Sequence, residues 1–244
     1  MSTYFISDLH LEESRPDITK AFLAFMDAIQ GKAQTLYILG DFFESWIGDD
    51  ENTALQVQIK QRLKAFTDQG AKFFFMHGNR DFLVGELFAQ ETGGTLLDDP
   101  CVIDLYGESV LLMHGDSLCT ADTGYMKFRA TIRNPAFLEP FLKRPIEERK
   151  ITAQQLRAMS QANNRGKSME IMDVTQAEVT QELEKFEVAT LIHGHTHRPQ
   201  VEQRTNDKVR IVLGDWDKEV WYLKVSDQGE RELKCYPLPQ TPQV

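Results

Sequence analysis

No stretch of the chain approaches the roughly 18 consecutive apolar residues that a membrane-spanning helix requires. The opening residues, Met-Ser-Thr-Tyr-Phe-Ile-Ser-Asp, carry neither a basic segment nor a long apolar run. A secretory signal is therefore not expected, and the cytoplasm is the expected compartment. Cysteine is scarce: Cys101, Cys119 and Cys235 are odd in number, far apart and form no Cys-x-x-Cys pair. That excludes a disulfide framework and a thiolate zinc cage, and the three read as buried thiols. Positive charge is also short. A net charge of −10 excludes a general nucleic-acid binder, so no nucleic-acid partner is expected. Internal repeats and low-complexity tracts are missing as well.

What is present is an ordinary globular composition, 244 residues with 41% hydrophobic, which suits one domain spanning 1–244. Short apolar runs at Tyr4–Ile6, Thr35–Leu39, Lys72–Met76, Val110–Met113 and Val188–Ile192 read as buried strands, because each ends in polar residues or glycine. Helical spacing of apolar residues marks Ile18–Ala28 and Ala54–Phe66. This alternation predicts an α/β fold, with helices covering a sheet. From Asp122 to Lys185 the composition turns helical, with Asp173 and Gln176 predicting a capping box for the last helix. Strand-like runs resume at Val209–Leu213, Val220–Val225 and Glu232–Tyr236. The reading is an α/β core interrupted by a helical insertion at about 122–172.

Charge is unevenly spread. Lys127 to Lys167 holds ten Lys or Arg against three Glu, a balance of +7, while the remainder has 17 basic and 34 acidic residues, or −17. A solvated helix face is the ordinary explanation of such a run. Here its sign opposes the rest of the protein, and Phe137, Phe141, Ile146 and Ile151 are interleaved with it. An anionic partner is the expectation.

All six histidines stand at or just past the predicted strand ends, in Asp8-Leu9-His10, His77-Gly78-Asn79-Arg80-Asp81, His114-Gly115-Asp116 and His193-Gly194-His195-Thr196-His197. Gly40-Asp41 follows another strand. Ligands of open α/β sheets gather at strand carboxyl ends, so these loops are expected to converge. Residues two apart in extended chain point the same way, which pairs Asp8 with His10 and His195 with His197. Glycines beside Asp41, Asn79 and His114 allow tight turns. The expected ligands are Asp8, His10, Asp41, Asn79, His114, His195 and His197. Seven exceed the needs of one ion and suit two that share a carboxylate. Imidazole, carboxylate and amide donors fit Mn²⁺, Fe²⁺ or Zn²⁺. A lone strand-end histidine is ordinarily structural, and His77 and His193 are read that way.

This ordered set resembles the calcineurin-like metallophosphoesterases, whose Asp-x-His, Gly-Asp, Gly-Asn, His and Gly-His-x-His blocks occur here in sequence. Glu44 stands where those proteins commonly carry Asp, and Arg80 where many carry His. Tyr37-Ile-Leu-Gly-Asp-Phe-Phe-Glu-Ser-Trp-Ile-Gly-Asp-Asp50, His77-Gly-Asn-Arg-Asp-Phe-Leu83 and Leu191-Ile-His-Gly-His-Thr-His-Arg-Pro199 resemble the UDP-2,3-diacylglucosamine pyrophosphatase family over nearly the whole chain. The resemblance implies a four-layer αββα sandwich with a helical cap. It implies hydrolysis of UDP-2,3-diacylglucosamine to UMP and 2,3-diacylglucosamine 1-phosphate (lipid X), with two divalent ions, Mn²⁺ above all. It also implies peripheral association with the cytoplasmic face of the inner membrane, with the oligomeric state left open, a monomer included. One ion is expected on Asp8, His10, Asp41 and His197, the other on Asp41, Asn79, His114 and His195. Arg80 is the expected catalytic residue, a fixed cation toward phosphate. Asn79, Arg80, Asp122, Ser160, Asn164, Lys167 and His195 are the substrate contacts implied, with Phe82, Tyr125 and Phe128 in an apolar pocket. A phosphodiesterase or nucleotide pyrophosphatase acting on soluble substrates, and a non-catalytic scaffold, are the rival readings.

Overall fold

The computed structural model describes residues 1–164, 171 and 173–238. Two sheets carry the fold. The first contains β1 (Ser2–Ile6), β2 (Ala33–Leu39), β3 (Lys72–Met76) and β4 (Thr95–Leu97), all parallel, extended beyond β1 by antiparallel β10 (Glu219–Ser226) and β11 (Arg231–Pro237). The second has the order β5 (Cys101–Leu105), β6 (Glu108–Met113), β7 (Thr190–His193), β9 (Val209–Val212), β8 (Gln200–Gln203), with β6, β7 and β9 parallel. Helices α1 (Pro16–Ile29), α2 (Ala54–Thr67) and α3 (Glu86–Thr92) connect the strands of the first sheet, and α7 (Gln176–Lys185) precedes β7.

Period-two alternation sorts the strands into layers. Ile6, Leu36, Ile38, Phe73 and Phe75 face outward into a core shared with Phe22, Phe25 and Met26 of α1 and Ile59 and Leu63 of α2. Their neighbours Phe5, Tyr37, Leu39 and Met76 face inward and meet Val110, Leu112, Ile192 and Ile211 of the second sheet. The far side of that sheet, through Leu111, Met113 and Leu191, packs on Val179 and Leu183 of α7. The result is the expected αββα arrangement. Between the sheets Tyr37 stacks on Phe5 and Phe74, its register partners on either side, at 4.8 and 4.9 Å between ring centroids. Such cross-strand pairs hold adjacent strands in one register, because a slip would break the stack.

Helices α4 (Thr123–Ile132), α5 (Pro135–Leu142) and α6 (Ile146–Asn164) lie in the chain between β6 and α7. Arg149 of α6, buried, donates to the Ile47 carbonyl at 2.7 Å and to Asp50 at 2.8 Å, fixing α6 to the loop after β2. No helix among the described residues is long and apolar enough to cross a membrane.

Two local expectations are corrected. Asp173 caps nothing: Thr175 holds the N-cap position of α7, and the Asp173 carboxylate is taken by Arg198, with Arg210 at 3.8 Å. Of the three thiols only Cys119 is buried; Cys101 is partly covered and Cys235 is exposed on edge strand β11.

Candidate metal centre

The parallel strands of both sheets end at one place. Asp8 and His10 follow β1, Asp41 follows β2, Asn79 follows β3, His114 follows β6, and His195 and His197 follow β7. Two glycines make the convergence possible. A Cβ on Gly40 (φ +86°) would lie 2.6 Å from both Gly78 Cα and His114 Nδ1, and one on Gly78 would collide with the backbone and carboxylate of Asp41. Only a residue without a side chain lets the ends of β2, β3 and β6 meet this closely.

Asp8, His10, Asp41, His195 and His197 all have positive φ, between 49° and 68°. Non-glycine residues rarely adopt this region, and each one there costs of order 1 kcal/mol or more, so its concentration at one site marks function. It also corrects the reasoning behind the two expected pairs. The Asp8/His10 and His195/His197 segments are not extended chain; left-handed turns aim these side chains.

The donors form two trios, Asp8 with His10 and His197, and Asp41 with His114 and His195, and within each the ligand atoms lie within 4.8 Å of one another. Asp41 stands between them, Oδ1 at 3.7 Å from His114 Nε2 and Oδ2 at 3.9 Å from His10 Nε2. Asn79 Oδ1 is 3.2 Å from His114 Nε2.

A hydrogen bond at His114 and a close carboxylate contact at His10 select tautomers. His114 Nδ1 donates to the Leu39 carbonyl at 2.9 Å, and His10 Nδ1 is 2.6 Å from Glu44 Oε2. With Nδ1 protonated, each ring turns an Nε2 lone pair inward, which is how outer partners prepare imidazole ligands. His10 Nε2 and His197 Nε2 then face each other at 3.4 Å, and Asp8 Oδ1 is buried without a well-formed hydrogen bond. Converging imidazole nitrogens beside an orphaned buried carboxylate oxygen are satisfied by a cation, so these donors fit divalent metal.

The electrostatics agree. Burial works against the charged form of His114, yet Asp41, Asp116 and Asp8 outweigh it and push the imidazole up to about 9. His10 is likewise pushed up to about 9, with Glu44, Asp41 and Asp8 overcoming burial. His195 goes the other way, down to about 4, through burial and its neighbour His114, and so stands as a neutral donor. The pocket is negative enough to hold protons where cations would sit.

Several supporting residues escaped the sequence reading. Fully buried Asp81 accepts backbone N–H groups of Gly78, Phe42, Phe43 and Asp41 at 2.8–3.3 Å, binding the Asn79 loop to the Asp41 loop. Burial and the nearby Asp41 raise its carboxyl to about 6. Ser7 Oγ donates to Asp8 at 2.5 Å. Asp116, fully buried, accepts from Tyr125 Oη at 2.6 Å and Arg129 at 2.8 Å, fastening α4 to the end of β6. The signal for Asp81 and Asp116 was available: each is an acid two residues past an expected ligand. His77 and His193 are structural, as read: His77 Nε2 is 2.6 Å from the Val84 carbonyl, and His193 accepts from Arg210 at 2.9 Å.

Beside the trios opens a cavity of about 410 Å³. Asn79, Arg80, Phe82, Tyr125, Phe128, Phe137, Phe141 and Ser160 are among the residues that line it. The Arg80 side chain is half-buried, and its Nε lies 4.0 Å from Glu44. Asp122 is buried and caps α4, accepting from Tyr125 N at 3.0 Å. The Asn164 side chain and all of Lys167 lie outside the described residues.

The calcineurin-like phosphoesterase family matches residues 1–199. A UDP-2,3-diacylglucosamine hydrolase of Marinobacter nauticus is 55% identical over 241 residues, covering 98% of this chain and 99% of the relative. The protein of that name from Pseudomonas aeruginosa is 53% identical over 98% of this chain and 100% of its own. A solved archaeal phosphodiesterase covers 97% of this chain and 100% of its own at 15% identity and a TM-score of 0.51, a likeness of fold alone. The motifs, the sandwich and the paired donor trios thus agree with the relatives: this chain belongs to the calcineurin-like phosphoesterase family.

Proposed function

We propose that the protein hydrolyses the pyrophosphate bond of UDP-2,3-diacylglucosamine, at the UMP-side phosphorus, releasing UMP and 2,3-diacylglucosamine 1-phosphate. The observation that carries this reading is the adjacency of two donor trios, with Asp41 standing between them, to an aromatic cavity lined by Asn79 and Arg80. The relatives bearing the name of this hydrolase match nearly the whole chain and support it.

Asp8, His10, Asp41 and His197 would hold one divalent ion, and Asp41, Asn79, His114 and His195 the other, with Mn²⁺ the proposed metal. Bound there, the ions supply a water of lowered pKa and neutralise phosphoryl oxygens. The protein contributes orientation. Arg80 faces the phosphates with a planar, permanently charged fork that offsets charge building on them in the transition state. Asn79 and His195 also adjoin the phosphates, while Asp122, Ser160, Asn164 and Lys167 are assigned to the sugar-phosphate end. Phe82, Phe128, Phe137 and Phe141 exclude water and bury the acyl chains, each methylene contributing roughly 0.8 kcal/mol. The exposed apolar residues Leu142, Ile151 and Met159 of α5 and α6 stand among Lys143, Arg144 and Lys150, which suits peripheral contact with an anionic inner-membrane surface.

The test compares Mn²⁺-dependent release of UMP from the diacylated UDP-sugar with cleavage of a simple aryl phosphodiester. Preference for the lipid by several orders of magnitude in kcat/KM is expected. Equal efficiency on both would replace this reading with a phosphodiesterase of soluble substrates.

A further inference from the structure

Glu44 occupies an unusual junction. Its Oε2 lies 2.6 Å from Nδ1 of His10, while its Oε1 pairs with the guanidinium of Arg157 on α6 and stands 4.0 Å from Arg80 Nε. The carboxylate is buried, whereas Arg157 is 37% exposed and reaches in from the cap. Its backbone is fixed: Glu44 N donates to the Leu11 carbonyl at 3.1 Å, and Leu11 pairs with Phe43, so the loops bearing His10 and Glu44 move as one. The side chain departs from the aspartate common in the family at this place. Aspartate is shorter by one methylene, about 1.5 Å of reach, and from this backbone could not meet the His10 ring and Arg157 together.

We propose that Glu44 is a positioning residue that couples metal loading to the placement of α6, orienting His10 through one oxygen and holding Arg157 through the other. A cation on His10 Nε2 fixes the ring and makes its Nδ1–H a stronger donor, which locks the Glu44 rotamer. The locked carboxylate then presents its second oxygen to Arg157 at less entropic cost. By linkage, whatever α6 gains from the ion, the ion gains from α6. The cavity wall formed by α6 is therefore set by the metal before lipid arrives. Arg149, anchored to Asp50 and the Ile47 carbonyl, holds the start of the same helix through bonds that do not involve the Glu44 carboxylate. It supplies an internal control.

The inference rests on His10 being a metal ligand, and the experiment separates the two claims. Hydrogen exchange of the full-length protein is followed by mass spectrometry with and without Mn²⁺, alongside direct Mn²⁺ titration. In the wild type, Mn²⁺ should slow exchange around residues 153–160 on the order of threefold or more, and leave residues 146–150 nearly unchanged. Arg157→Gln, on an accessible side chain that folding does not require, should abolish that protection and weaken Mn²⁺ binding by a similar small factor. Glu44→Asp should abolish it too, with Mn²⁺ affinity down about tenfold. Persistence of the Mn²⁺ effect on α6 in Arg157→Gln would overturn the coupling. His10→Ala should lose Mn²⁺ at the first site; if it titrates like the wild type, the ligand assignment itself falls. Loss of Mn²⁺ in His10→Ala with full protection in Arg157→Gln would leave the metal site standing and remove the coupling alone.

Discussion

The sandwich and the cap are held in place by different forces. Strands β1–β3, β6 and β7 bury nearly every side chain, and the layers meet through contiguous apolar cores. In α4–α6, by contrast, Ile132 and Phe141 are the buried apolar side chains among the described residues. The cap is instead fastened by polar bonds to the loops around the metal centre: Arg129 to Asp116, Arg149 to Asp50, Arg157 to Glu44. Apolar packing gives the sandwich a rigid frame that keeps seven donors in register. Ion pairs at partly wet positions contribute little stability, but they are directional and reversible. The difference suits a fixed centre beneath a wall that must admit an acylated ligand.

The comparison breaks most completely at Asp41. Asp41→Ala should strip both ions, since both proposed ion sites draw on that carboxylate, and cut turnover of lipid and aryl substrates alike by about 10³-fold or more. Metal content per chain after gel filtration checks this, and two retained ions would show that Asp41 does not bridge. Arg80, on the seam between the regions, should behave differently. Arg80→Ala should lower kcat on the order of 10²–10³-fold with metal content unchanged, and Arg80→Lys should recover only part, because an ammonium cannot reproduce the planar fork. Recovery to wild-type kcat in the lysine variant would rule out the fork.

A cap substitution sharpens the contrast. Phe141→Asp places a carboxylate in the aromatic wall, and hydrolysis of the diacylated substrate should fall about 10- to 100-fold, the loss of one or two buried chain segments. Aryl phosphodiester cleavage by the same preparation should stay within about twofold; a parallel loss would mean that the cap supports the metal centre itself. The smallest effect is expected at Arg149→Gln. Releasing Asp50, which is 59% exposed, and the Ile47 carbonyl should cost about 1 kcal/mol locally. Faster exchange at the start of α6 with little change in Tm is the expected signature, and a large fall in Tm would show that the cap belongs to the cooperative core.

Much of this was legible in the residues. The apolar runs located β1, β2, β3, β6 and β7 because buried parallel strands are continuous in hydrophobicity. All seven proposed ligands follow those strands, and the structure gathers them at one end of the sandwich. Strands β4, β5 and β8 and helix α3 were not foreseen. The first is three residues long, Gln200-Val-Glu-Gln203 is a largely exposed edge without apolar pattern, and α3 spans seven residues. The geometry of aim was also hidden, since left-handed φ at Asp8 or His197 leaves no mark in composition. Equally invisible was the work of Glu44, whose partners His10 and Arg157 are distant in sequence and meet it only when loops are brought together.

The order of the strands has a consequence for the chain as it is made. Strand β1 pairs with β2 on one side, so that edge is covered as soon as residue 39 is available. Its other edge belongs to β10, whose residues are 219–226. Throughout synthesis of the intervening chain, a strand of alternating buried side chains waits with its N–H and C=O groups unpaired, the situation in which strands capture wrong neighbours. The same nascent chain already carries Asp8, His10 and Asp41 but lacks His197. A growing polypeptide can therefore hold half a metal centre beside an open sheet edge, and both are completed only once residues 197–226 have been made.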